Sequence, residues 1–541
     1  MNLRPYQQDA VREIYAALSH PGSSTLLVIP TGTGKTVVFS TVVGGCVQKG
    51  KRALVLAHRE ELIYQAVDKI QRVTGHRAAI EMAEWRADAH QFFGSRAPVV
   101  VSSIQTQATG RMERFNPSDF GLLVVDEAHH ATAPSYRRVI DYYRQNEALR
   151  VLGVTATPDR ADEAALGQVF DTVAFEYGVS DAIDDGWLVP VRQQFVRVEG
   201  LDFSRVRTTA GDLNGSELAA LMEYEQNLHA IADPTMKLAG DRPTLVFAAS
   251  VAHADRLAEI FDRHRPGSAR VVTGATPKDE RAAMLREFKA RRFQYLCNVG
   301  VATEGFDEPQ IGVVVMARPT KSRALYAQML GRGTRPLEGV VDGPATAEER
   351  RAAIAASGKP FMTVLDFVGN SGRHKLVHAA DILGGKFSDD LVAKAERAMQ
   401  DGDGEQDVLE KLREAELEEV RRADAEARRQ RRNLVIQTSF SVDEVSPFDM
   451  LGIKPKREPG WHKGRRPSSA MVAAMERRGI RGSERMSWWE VKQILATASP
   501  KQAKALQRAG WWEPGLSFEE ASRRMDVLSK NNWTRPLEAA S

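Results

Sequence analysis

Pro30-Thr-Gly-Thr-Gly-Lys-Thr36 and Leu122-Leu-Val-Val-Asp-Glu-Ala-His129 decide how this chain is read, because each follows or contains an apolar run with the character of a buried strand. The first comes after Thr25-Leu-Leu-Val-Ile29 and leads into a Val/Phe-containing helical stretch, which puts its glycines at a strand-to-helix turn. Backbone N–H groups at such a turn point at an anion, and Gly32 and Gly34 let the chain wrap it without Cβ clashes. Thr31 and Thr33 complete the loop, Lys35 would neutralise β- and γ-phosphates, and the Thr36 hydroxyl would face Mg²⁺. One position departs from the strict phosphate-loop pattern: Ile29 stands where that pattern has its upstream glycine. In the second segment Asp126 ends the strand, where it can hold Mg²⁺ through water, and Glu127 can orient an attacking water. Either segment alone fits a glycine turn or a surface acidic pair. Together they describe a site for nucleoside triphosphate hydrolysis.

Outward from these segments, short apolar runs recur at 26–29, 53–57, 99–101, 122–125 and 151–154, with helical or loop stretches between them. A second series occupies 244–247, 270–273, 295–299, 313–316 and 363–367, with amphipathic stretches such as 278–288 between its members. Such alternation predicts a parallel α/β sheet in each series. The fold class expected is therefore α/β, with two tandem parallel-sheet domains over 1–190 and 191–385, joined near Asp185-Gly-Trp-Leu-Val-Pro190. The less regular stretch 202–241 reads as an insertion or linker, and the polar segment 346–358 as a surface insertion. Residues 386–435 read as a charged helical arm, acidic first (Glu405, Asp407, Glu410) and basic last (Arg428, Arg429, Arg431, Arg432), a polarity that suits the helix dipole. Its thin apolar stripe, Leu409, Leu412 and Val420, fits a solvated helix or a coiled-coil contact.

At 541 residues the chain is too long for a single core, and three or more domains are expected. No apolar run approaches the roughly 18 residues that span a bilayer, and the start Met1-Asn-Leu-Arg-Pro-Tyr6 has no signal-peptide core, so a cytoplasmic location is expected. Cys46 and Cys297 are the only cysteines, which argues against a disulfide framework or a zinc site. Residues 454–541 carry 18 Lys/Arg against 9 Asp/Glu, a surplus of +9, so the total of +3 leaves −6 for the rest. Six of the eight tryptophans also lie there (Trp461, Trp488, Trp489, Trp511, Trp512, Trp533), which argues for a separate basic, Trp-rich, all-α module over 436–541. A weak repeat, Ser469 to Gly479 against Ser499 to Gly510, with capping-box starts at Ser487/Glu490 and Ser517/Glu520, predicts two consecutive helical hairpins. Their cations and rings suit nucleic acid, and the rings equally suit the cores of two small helical units.

The remaining motifs stand in one order at plausible distances, and over residues 3–374 the chain resembles superfamily 2 helicases and translocases of the DEAH type. Within them it is similar to RadD-like and phage-encoded bacterial DNA helicases and to restriction-enzyme motor subunits. The resemblance implies two RecA-like domains with ATP and Mg²⁺ between them. It implies that Gln7, in Leu3-Arg-Pro-Tyr-Gln7, reads the adenine edge, and that His129 works with Thr155-Ala-Thr157 to couple nucleotide and cleft. Gln328-Met-Leu-Gly-Arg-Gly-Thr-Arg335 fits the family's last motif, so Arg332 and Arg335 would reach the γ-phosphate from the second domain, with Gln328 counted among the catalytic residues. Gly305 and Asp307, in Ala302-Thr-Glu-Gly-Phe-Asp307, would touch nucleotide, and Thr303 the nucleic acid. His58, Arg59, Ser103, Thr106, Ser250, Thr273 and Gly274 would contact the strand backbone. The function implied is an ATP-dependent DNA helicase or translocase in a bacterial or phage-infected cell. The alternatives are an RNA helicase or remodeller and an ATP-gated nucleic-acid-binding module that recruits a protein partner through arm and tail.

Overall fold

The computed structural model describes residues 3–83, 85–87, 96–156, 166–209, 211–301, 306, 308–371, 374–385, 387–402, 404–434, 464–513 and 516–530. The chain divides into two bodies, one of residues 1–385 and 389–416 and one of 386–388 and 417–541.

The first body holds two seven-stranded sheets. The first sheet comprises β1 (Ser24–Val28), β2 (Arg52–Ala57), β3 (Ala78–Glu81), β4 (Val99–Ser103), β5 (Phe120–Asp126), β6 (Arg150–Thr155) and β7 (Thr172–Glu176). Their spatial order is β3-β4-β2-β5-β6-β1-β7, with every pair parallel. The strands coincide with near-continuous apolar runs because helices cover both faces, leaving no solvated side to demand alternation. Leu54, Leu123, Val125, Val151 and Tyr143 lie in one buried cluster beneath this sheet.

The second sheet is built from β8 (Val191–Asp202), β11 (Thr244–Ala248), β12 (Ala269–Thr273), β13 (Tyr295–Val299), β14 (Val313–Ala317), β15 (Met362–Asn370) and β16 (Gln406–Asp407), while β9 (Thr208–Thr209) and β10 (Asp212–Leu213) form a separate small hairpin. Its order is β12-β13-β11-β14-β15-β8-β16, parallel except for β16, which runs antiparallel to β8. The join between the sheets is tied to the second domain by the Val189 N–H, which donates to the Thr334 carbonyl at 2.8 Å.

Three expectations change. The stretch 202–241 is not a loose insertion: helices Gly215–Met222 and Glu225–Ala239 place Leu218, Met222, Leu228 and Ile231 in the core of the second sheet. The spacing of the buried residues Leu228, Ile231, Ala232 and Thr235 is that of a buried helical face, even across Pro234. The arm begins later than expected. Helix Asp389–Asp401 buries Leu391, Val392, Ala395 and Met399, and β16 adds an edge to the sheet. Helix Val408–Leu434 then buries Val408, Leu409 and Leu412, while its Leu417 and Val420 are exposed. Finally, the segment read as a surface insertion forms helix Ala347–Ala355, whose Arg350 is buried over the Trp187 ring at 3.9 Å.

In the second body, helices Ser469–Arg477 and Trp488–Ala496 close over Met475, Ile480, Val491 and Ile494. Helices Pro500–Arg508 and Phe518–Lys530 close over Leu506, Leu516, Ala521 and Leu528, with Trp511 and Trp512 packed against them. These are the two hairpins that the repeat predicts. Ser487 and Glu490 form the reciprocal capping box, and the Arg478 guanidinium donates to the Ile494, Leu495 and Thr497 carbonyls, closing the end of its partner helix. Trp461 and Trp533 lie outside the described residues.

Candidate active site

The phosphate loop emerges from β1 with Gly32 and Gly34 at φ of 86° and 88°, a region where a side chain is strained. A Cβ on Gly34 would stand 2.6 Å from the Gln7 amide nitrogen, and one on Gly32 2.9 Å from Arg335 Cγ. A side chain at either position would therefore have to displace a neighbour as well as adopt a strained backbone. Helix Lys35–Gln48 starts immediately after Gly34, so its N-terminal N–H groups face the loop.

Lys35 Nζ lies 2.8 Å from Glu127 Oε1. The Glu127 backbone is held at φ 49°, with its N–H donating to Asp126 Oδ1 at 3.0 Å. His129 Nδ1 is 3.4 Å from Glu127 Oε2 and 3.3 Å from Thr155 Oγ1. Burial by itself would raise the Glu127 carboxyl, but Lys35 and His129 outweigh it and hold the group below the usual carboxylate range. Asp126 moves the other way, raised by burial and by the charge of Glu127 beside it.

A cavity of about 640 Å³ opens on this chemistry. From the first domain it is lined by Gln7, Thr31, Gly32, Thr33, Gly34, Lys35, Thr36, Asp126 and Glu127, and from the second domain by Phe306, Arg332, Arg335 and Asp342. Arg332 Nη1 donates to the Phe306 carbonyl at 2.6 Å. Among the described residues no group of three or more His, Cys, Asp or Glu could hold a metal. One carboxylate and one hydroxyl, Asp126 and Thr36, do line the cavity, and that sparse donor set suits Mg²⁺, which keeps water and phosphate oxygens in its shell.

Other expected residues fall elsewhere. Gln328 is buried in helix Arg323–Gly331 and is not among the cavity's lining residues. Gln7 does not present a free amide edge: its Nε2 donates to the Thr33 carbonyl at 2.9 Å and its Oε1 accepts from Arg4 N at 3.0 Å, so it braces the phosphate loop. Thr157, Thr303, Gly305 and Asp307 lie outside the described residues.

The expected strand contacts sit at or just beyond the carboxyl ends of their strands. Arg59 Nη1 donates across the cleft to the Gly300 carbonyl at 2.7 Å, and the His58 carbonyl accepts from Gln105 at 3.0 Å. Ser103 caps helix Ile104–Ala108, with its Oγ donating to Thr106 Oγ1 at 2.7 Å. Ser250 caps helix Val251–His264 and donates to Glu223. Thr273 Oγ1 accepts from Ala275 N at 3.2 Å within a turn, and Gly274 has open space around it.

Sequence reasoning missed Lys359. This buried lysine donates to the Arg335 carbonyl and to the Pro309 carbonyl, each at 2.7 Å. It was also silent on the ion pairs Lys278–Glu60 (2.6 Å) and Arg281–Glu61 (2.7 Å) that join the two domains. No local pattern marks them, because each partner comes from the other domain or from a segment distant in the sequence.

Residues 1–160 match the family described as the Type III restriction enzyme, res subunit, and residues 226–336 match the helicase conserved C-terminal domain. The chain is 32% identical over 352 residues to IRC3 of Saccharomyces cerevisiae, whose name describes an ATP-dependent helicase; the match covers 62% of this chain and 49% of that one. It is 28% identical to the DNA 3'-5' helicase XPB of Mycobacterium tuberculosis, over 62% of this chain and 58% of that one. It is 26% identical to the type I restriction enzyme EcoKI endonuclease subunit of Escherichia coli, over 62% of this chain and 33% of that one. The chain thus spans about half the length of the first curated relatives it matches.

Proposed function

We infer that this chain, built on the paired domains of the superfamily 2 helicase core, hydrolyses ATP in the cleft between its sheets and uses the cycle of closure to move along or unwind DNA. The observation that carries this reading is the single cavity in which Lys35, Thr36, Asp126 and Glu127 of one domain face Arg332 and Arg335 of the other. DNA is favoured over RNA by the kinship with XPB, whose name describes a DNA helicase.

Lys35 and Glu127 neutralise one another at 2.8 Å. When the phosphates enter, Lys35 exchanges its carboxylate for phosphate oxygens, and Glu127, kept anionic, is released to orient and deprotonate water. Mg²⁺, held by Thr36 and Asp126, would supply charge neutralisation at the phosphates. Arg332 and Arg335 bring positive charge from the second domain to the γ-phosphate, so hydrolysis requires closure. The strand-end groups of both domains, Arg59, Ser103, Thr106, Ser250 and Thr273, would hold the polynucleotide backbone, and loss of γ-phosphate would let the domains part and reset.

In domain terms, 1–190 is the nucleotide-binding domain, 191–385 with its 202–241 helices the second motor domain, and the basic hairpin module an accessory nucleic-acid or partner contact. A cytoplasmic location accords with the described residues, in which no helix is long and apolar enough to cross a membrane. Steady-state ATPase with no polymer, single-stranded DNA, duplex DNA, forked DNA and RNA at one salt concentration tests the reading. Stimulation by DNA, abolished in Lys35→Ala, is expected. Turnover indifferent to every polymer would refute coupling.

A further inference from the structure

Three adjacent strands at one edge of the first sheet, in the order β3-β4-β2, end on the same side. Beyond β2 stand His58 and Arg59, and at the end of β4 and just past it stand Ser103 and Thr106, groups that the helicase reading places on the polynucleotide backbone. With strands about 4.8 Å apart, the end of β3 lies roughly 10 Å from that of β2, on the same line. A tight turn after β3 presents Trp85, 43% exposed, with the exposed Arg86 next to it.

This turn is firmly built. Met82 N donates to the Trp85 carbonyl at 3.1 Å, and Trp85 N returns to the Met82 carbonyl at 2.8 Å. Ala83 is held at φ 48°, a conformation that costs a non-glycine residue energy and persists only where its surroundings impose it. Arg111 imposes it from below: its guanidinium donates to the Ala83 and Trp85 carbonyls and pairs with the buried Glu81 carboxylate at 3.0 Å. The other Glu81 oxygen accepts from Ala87 N at 2.7 Å, fixing the far side. Ala83 N donates to Thr106 Oγ1 at 3.4 Å, which ties the turn to one of the groups placed on the backbone. A half-buried ion pair and a strained residue are a costly way to carry a large apolar ring into water unless the ring meets a ligand.

We propose that Trp85 is a base-stacking platform for single-stranded nucleic acid, receiving a base as the strand crosses from the β2 end past the β4 end. The proposal rests on the helicase reading of the same face. An indole accepts the face of any base, so the platform adds affinity without sequence preference, and Arg86 stands where the adjoining phosphate would pass.

The test is fluorescence anisotropy of full-length wild type, Trp85→Ala and Trp85→Phe with a labelled oligothymidine and with an abasic oligomer of equal length, at two salt concentrations. Trp85→Ala is expected to weaken oligothymidine binding by about 5- to 100-fold, with abasic binding and the salt slope unchanged and with Phe retaining most of the affinity. Unstimulated ATPase, to which Trp85 contributes no contact, should match wild type and reports an intact fold. Equal losses for both oligomers, or none, would overturn the platform. Wild type that binds neither oligomer would defeat the helicase reading itself, and the platform with it.

Discussion

Glu127 shows how this site stores its readiness. A non-glycine backbone at φ 49° costs about 1–3 kcal/mol, and the contacts that hold it are functional ones: Asp126 Oδ1 on its N–H, Lys35 on one carboxylate oxygen and His129 by the other. Glu127→Gln preserves shape and removes the base, so nucleotide binding should persist while turnover falls on the order of 10²–10⁴-fold; equilibrium nucleotide binding and steady-state hydrolysis measured side by side check this. Lys359 is the buried counterpart on the other domain. Burial pushes its pKa down to about 7, well below the value of about 10.4 of a free lysine. Below the lower value folding must bury a full charge. Between the two values the unfolded chain binds a proton that the folded chain lacks, so stability rises with pH across that window. Lys359→Met removes the titrating group, and the unfolding midpoint of wild type relative to the variant should therefore increase as pH is raised from 7 to about 9. A pH-independent difference between the two would show that Lys359 is not titrating there.

At the scale of elements, Trp187 is the join between the domains made visible. Arg4 lies over its ring at 4.3 Å and Arg350 at 3.9 Å, and Arg350 Nε also donates to the Asp185 carbonyl at 2.8 Å. Helix Ala347–Ala355 therefore braces a linker that leads directly to β8, and through Trp187 it touches Arg4 at the cavity wall. Arg350→Ala should cost about 1–3 kcal/mol in thermal unfolding and raise the KM for ATP more than it lowers kcat, because Arg4 loses its support while Glu127 does not; an unchanged midpoint would place the brace elsewhere. None of this is legible locally. The sequence of 346–358 reads as polar surface because Arg350 buries its charge against a ring from a segment some 160 residues away. The strands were legible for the opposite reason. Runs such as Leu122–Val125 need only helices on both faces, and their composition states that directly. The phosphate loop was legible because one short turn holds nearly all its requirements, whereas the commitment of Gln7 to Thr33 and the withdrawal of Gln328 into its helix depend on what packs around them.

For the whole molecule, the body of the two sheets and the hairpin body divide the chemistry. The body of the two sheets contains every described residue of the candidate hydrolytic site, and the hairpin body carries the basic, Trp-rich stretch of sequence. Removal of residues 454–541 should leave unstimulated ATPase unchanged, weaken polynucleotide binding and flatten its dependence on salt, since lost phosphate contacts release fewer counterions. Titrations at two or more salt concentrations distinguish this from a tail that docks a protein and leaves the slope intact. The central claim is that neither domain hydrolyses ATP alone, and Arg335 tests it most directly: it crosses from the second domain to the phosphate loop, yet is remote from Lys35 and Glu127 in sequence. Single-turnover hydrolysis by Arg335→Ala, with DNA present and ATP saturating, should proceed about 10³-fold or more slowly than wild type while ATP still binds. Hydrolysis at the wild-type rate would show that the first domain is sufficient, and would contradict a site completed by closure.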